Sequence, residues 1–224
     1  MFVGCSGKID VQRFLKEGRN RTTRETYQHI LYQLMEDTSI GKFHHQLFNT
    51  DHQRADHWIP PTPGCTRLDV DASIVSYNKA ACGGIIRDER GKWIMGFQKN
   101  MGFYPTIIAE ILAIKTGLEV CQHLRLKQVQ IFSDSLEAIS TLLRDSGENH
   151  PYGQIIEETR QLLYEDWEVE LTHANRETLE CADKLARQAH SEEVQLKLLL
   201  QIVEYCRHVI YKDAQSIEDF GPTS

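Results

Sequence analysis

Four acidic residues stand where acids are least at home. Asp71 closes the run Leu68-Asp69-Val70-Asp71, and Glu110 interrupts Ile107-Ile108-Ala109-Glu110-Ile111-Leu112. Asp134 follows the apolar run Val129–Phe132, and Asp183 sits in Cys181-Ala182-Asp183-Lys184-Leu185-Ala186. A carboxylate among apolar neighbours is costly unless it is hydrogen-bonded, paired or ligated. Taken singly, each reads as a helix cap or a solvated edge, with Asp134 as an N-cap and Glu110 on a polar helix margin. Taken together, they converge if the elements carrying them pack into one sheet layer. Their mutual repulsion is then relieved by hard divalent cations. The other metal-type residues, His44, His45, His52, His57 and Cys65, match no zinc spacing.

The elements that must position these acids follow from hydrophobic periodicity. Thr66–Asp71 alternates as a strand, with Leu68 and Val70 on one face and Asp69 and Asp71 on the other. Cys82–Arg87 and Lys92–Gln98 are β-favouring runs joined by the hairpin turn Asp88-Glu89-Arg90-Gly91. Pro105–His123 has a helical period, Val129–Phe132 reads as a short buried strand, and Ser133-Asp134-Ser135 opens a helix through Arg144. A helix from His150-Pro151 to about Glu165, a strand Trp167–Thr172 and a helix Thr178–His190 complete the unit. This order predicts an α/β domain with a five-stranded mixed sheet, its first three strands an antiparallel meander.

Boundaries follow from composition. Residues 1–57 are polar, with one plausible helix over Thr23–Glu36, and 58–66 is a Pro-rich linker. The α/β unit spans 67–190, and 191–224 is a helix and tail, with Val194–Ile210 as the apolar helical stretch. The unit at 67–190 carries 14 basic and 19 acidic residues, which excludes a strongly basic nucleic-acid binder but not a local cation-recruiting site. Six cysteines without a CxxC pair read as free thiols in a reducing compartment, nuclear or cytosolic. No window has the apolar length of a membrane helix, and the N-terminus has no secretory pattern.

Residues 67–190 resemble the ribonuclease H family, in its plant retroelement-derived branch. The matching stretches are Leu68–Ser73, Gly83–Asp88, Ala109-Glu110, Ser133–Ala138 and His173 through Ala186, and Trp58–Gly64 is similar to that branch's approach to the domain. The resemblance implies a D-E-D-D set at Asp71, Glu110, Asp134 and Asp183 that binds two Mg²⁺ ions, or Mn²⁺. It also implies a mobile loop histidine at His173 that shuttles a proton. The expected activity is hydrolysis of the RNA strand of RNA–DNA hybrids.

Two departures from the family pattern are Ala72, where Gly is usual, and Leu179, where a loop-ordering Asn is usual. They keep a second reading open, a domesticated domain that binds nucleic acid or protein without turnover. Asp69 reads as peripheral to the set. Gly83 and Gly84 admit either sheet packing or a close approach of RNA, and Arg87, Arg90, Lys92 and Lys99 either a solvated hairpin or phosphate contacts.

Overall fold

Alternation along Thr66–Val75 builds the central strand β2, and it returns as β3 (Lys79–Arg87) and β4 (Trp93–Phe103). The computed structural model describes residues 48–49, 57–143, 150–192 and 196–220, with backbone alone at 48–49 and 217–220. Residues 1–46, and with them the expected helix Thr23–Glu36, lie outside the described residues. The β3–β4 turn uses the chemistry its sequence offers: Asp88 Oδ1 accepts the Arg90 and Lys92 N–H groups, both at 2.9 Å, and Gly91 takes φ 75°.

After the meander come α1 (Thr106–His123), β5 (Gln128–Ser133), α2 (Leu136–Leu143), α3 (Gly153–Leu163), β6 (Glu168–His173) and α4 (Glu180–Gln188). β5 runs parallel to β2, and β6 parallel to β5. The five expected strands are therefore all present. The sheet is larger than five, however, because short strands β1 (Phe48–Asn49) and β7 (Lys197–Leu199) add one edge each, in the order β1-β6-β5-β2-β3-β4-β7.

Two glycines set the layers. A side chain at Gly117 of α1 would press on Leu68 and Val70, so α1 covers the apolar face of β2. A side chain at Gly83 would strike the Ala186 backbone, so α4 lies directly on the other face, where Asp69 and Asp71 point. Gly84 is filled by the Phe97 ring. Both glycines of the pair thus serve internal packing, and neither is open to RNA.

The expected helix over Val194–Ile210 is corrected. Lys197–Leu199 pairs instead with the free edge of β4 as β7, where Leu199 O accepts the Trp93 indole N–H at 3.1 Å. A sheet edge with unpaired donors and acceptors takes up a nearby apolar run more readily than that run coils alone. The C-terminal helix is α5 (Glu204–Phe220), which packs Cys206 and Val209 against Ile85, Trp93 and Leu185. No described helix is long and apolar enough to cross a membrane.

Asp69, read as peripheral to the acidic set, is the hub of a buried ionic network of its own. Its carboxylate accepts from Arg67 Nε at 2.6 Å, Arg87 Nη2 at 2.8 Å and the Trp58 indole at 3.0 Å. Arg87 Nη1 reaches Asp213 of α5 at 2.7 Å. Trp58 is 1% exposed and lies beneath the Arg87 guanidinium at 3.9 Å. The segment after it is bonded to the domain through Ile59 O–Arg67 Nη1, Thr62 N–Gln130 Oε1 and Gly64 N–Glu89 Oε2. Arg87 therefore belongs to the core and not to a solvated hairpin.

Candidate active site

Asp71 is placed by the strand that carries it, opposite Gly83 in the β2–β3 register. Glu110 comes from the second turn of α1, buried within an otherwise apolar stretch, with the Ala72 backbone close enough to favour its charged form. Asp134 follows the last residue of β5. It is not the cap of α2, because Ser135 Oγ accepts the Ala138 N–H at 3.2 Å and takes that role. Asp71, Glu110 and Asp134 each bring a carboxylate oxygen to within 4.8 Å of the others.

Asp183, in the first turn of α4, sits beside this trio. Its side chain bonds with that of Asp71, and it pairs with Arg187 Nε at 3.0 Å and Arg176 Nη2 at 3.5 Å. His173 closes the strand that leads into the turn before Asp183. It is the last residue of β6, buried, with Nε2 3.2 Å from the Asp134 carbonyl oxygen. In that position it braces the backbone behind Asp134.

The two family departures are accommodated. Ala72 is not among the residues with positive φ, so extended backbone suits it and no glycine is required. Leu179 is buried with Phe132 and Ala174, so an apolar anchor orders the turn between His173 and Asp183.

Sequence reasoning missed Arg176, whose side chain is 65% exposed and feels the charges of Asp71, Asp134 and Asp183. The available signal was a lone cation in the short turn (Arg176–Leu179) that leads to Asp183.

Burial, followed by the charges of Asp134 and Asp183, pushes the Asp71 carboxyl up to about 8. Burial and the charges of Asp71 and Asp134 hold Glu110 well above the usual carboxylate range. Asp71 Oδ2 and Glu110 Oε2 are buried with no hydrogen-bond partner. Orphaned oxygens in an all-oxygen donor set fit a hard divalent ion and suit zinc poorly. A proton on Asp71 must leave before an ion is bound below about pH 8, so the affinity for Mg²⁺ or Mn²⁺ should rise with pH, by up to about tenfold per unit. Calorimetric titration in two buffers of different ionisation enthalpy should detect the released proton at pH 7. Identical heats in the two would remove this reading.

A three-stranded meander extended by parallel strands, with carboxylates from β2, α1 and the end of β5 meeting at one place, is the arrangement of a ribonuclease H-like domain. Solved structures bear this out at the level of the fold. Ribonuclease H1 of Halobacterium salinarum aligns with TM-score 0.52 and 21% identity over 58% of this chain and 99% of its own. LC11-RNase H1, solved in complex with RNA/DNA hybrid, aligns with TM-score 0.50 and 20% identity over 55% of this chain and 95% of its own. An Arabidopsis thaliana protein named as a ribonuclease H protein is 30% identical over 135 residues, 60% of this chain and 22% of that relative's length. The chain belongs to the reverse transcriptase-like family, whose model matches residues 69–189.

Proposed function

We propose that the domain is an endonuclease that hydrolyses the RNA strand of RNA–DNA hybrids with divalent ions, leaving 5′-phosphate and 3′-hydroxyl ends. The observation that supports this best is the trio Asp71, Glu110 and Asp134, two of whose oxygens are buried and unpartnered. These residues, with Asp183 at the margin, would hold two Mg²⁺ ions, with Mn²⁺ as the alternative. Such ions supply positive charge to the attacking water and the leaving oxygen.

The chain's own residues do the rest. Burial of Asp71 and Glu110 keeps competing water from their carboxylates. Asp183 accepts the proton that Asp71 retains when no ion is bound. His173 fixes the backbone that aims Asp134. Arg176, largely exposed above the acids, is placed to meet a phosphate of the incoming strand.

The ion pairs that occupy Asp183 favour a second reading, in which the domain binds hybrid without turnover. One assay separates the two. With labelled hybrid and Mg²⁺, the wild type should cleave and Asp134→Asn should lose at least about 100-fold in rate while retaining binding. Binding without cleavage by either protein would favour the second reading.

A further inference from the structure

We propose that Tyr77 and Phe103 form an aromatic rim on which an unpaired base beyond the end of a hybrid duplex stacks, so that the preferred substrate is a hybrid with a single-stranded extension. This rests on the nucleic-acid reading above and adds a substrate class to it. Tyr77 occupies the turn between β2 and β3 with φ 61° and ψ 32°, and Asn78 follows with φ 60°. Asn is comfortable in this left-handed region, whereas a bulky side chain such as Tyr is disfavoured there. The turn is nonetheless closed firmly, with the Tyr104 N–H donating to Asn78 O at 3.0 Å.

That strain secures no packing. Tyr77 is 93% exposed and makes no hydrogen bond or ring contact with the described residues. Phe103, paired with Lys79 at the end of β4, is 70% exposed. A strained backbone that holds a large apolar ring in water, two residues before the position that a second exposed ring faces in the register, has the form of a recognition element and not of a structural one.

Position selects the occupant. β2 and β5 are parallel, so the turn lies at the same end of the sheet as Asp134. From Asp71 the same face of β2 leads through Ser73, whose hydroxyl meets His190 Nε2 at 3.2 Å, to the exposed Val75. Lys79 lies close enough for its charge to act on the His190 ring. The rim thus lies further along the strand that carries Asp71, at the same end of the sheet as the carboxylates, and Lys79 supplies a cation beside it. Six residues of chain separate Asp71 from Tyr77, about 15–20 Å, or about five nucleotides at 3.4 Å each. Bases within a duplex already stack on one another. A protein ring gains a free π-face only at a duplex end or an unpaired extension.

The experiment measures fluorescence anisotropy on two short labelled hybrids, one blunt and one with a single-stranded DNA extension, with Ca²⁺ replacing Mg²⁺. Wild type should bind the extended hybrid about 5–10-fold more tightly. Tyr77→Asn should bring the two to equality, Tyr77→Phe should keep the preference, and Phe103→Ala should reduce it. Because Asn relieves the turn, Tyr77→Asn should also melt higher than wild type, an outcome that separates lost stacking from lost folding. Equal binding of both hybrids by wild type, or a preference that survives Tyr77→Asn, overturns the rim and leaves the nuclease reading standing. Uniform weakening on both hybrids overturns it too, since that marks a duplex contact. A wild type that dimerises where Tyr77→Asn is a monomer with its preference intact assigns the rim to a second copy. Failure to bind either hybrid removes both readings.

Discussion

Asp71→Asn is expected to abolish hybrid cleavage and, without divalent ions, to make the protein more stable at pH 8–9. The stability half follows from linkage. The folded Asp71 carboxyl titrates at about 8 against an ordinary value of 3.8, so its protonated form is favoured by folding. That favourable contribution is complete below about 3.8 and is lost as pH rises through about 8. Asn is uncharged at every pH, and its amide can still donate toward Asp183 as the protonated acid does. Wild type and variant should therefore be most alike near pH 4 and draw apart steadily from there to about pH 8, with the variant ahead at pH 7 and the gap no longer growing between pH 8 and 9. Saturating Mg²⁺ should restore the wild type alone. Urea denaturation at pH 5, 7 and 9, with and without Mg²⁺, reads all of this. A variant less stable than wild type at every pH would sink the idea that repulsion among the acids is what this site stores.

Much of that site was legible because its residues contradict their surroundings. Glu110 in an apolar helix and Asp71 at the end of an alternating strand are visible without coordinates, and their order along the chain completes the pattern. The meander, both parallel strands and α1 follow from simple periodicities. Asp69 was less legible. Alternation places it on the same face as Asp71, but only tertiary structure brings Trp58, Arg67 and Arg87 around it. The pair Gly83-Gly84 admits two readings in sequence, and the positions of Ala186 and Phe97 decide between them. β7 was missed because Leu196–Leu200 has no strong period of its own, and its conformation is set by the vacant edge of β4. In each case the missing information was a long-range partner.

The Asp69 network carries the largest expected effect on stability. Asp69→Leu should lower the free energy of unfolding by about 3–5 kcal/mol. The substitution removes the acceptor shared by two guanidinium groups and an indole, all of them buried, and leaves Arg67 and Arg87 with Asp213 as the remaining carboxylate of the network. Asp213 does not substitute, because it is already committed to Arg87 Nη1 at 2.7 Å and bonds neither Arg67 nor Trp58 among the described contacts. The penalty comes from the stranded charges and not from the ion pairs themselves, since a buried pair roughly offsets its own desolvation. A variant with Arg67→Met and Arg87→Met added to Asp69→Leu should therefore recover most of the loss. Asp213, 12% exposed at its side chain, should turn to water at little cost. Urea midpoints of the single and triple variants test this. A single variant that unfolds where wild type does would mean that water or rearrangement reaches Arg67 and Arg87. The anchoring of α5 would then have to come from apolar packing alone, through Ile85, Cys206 and Val209.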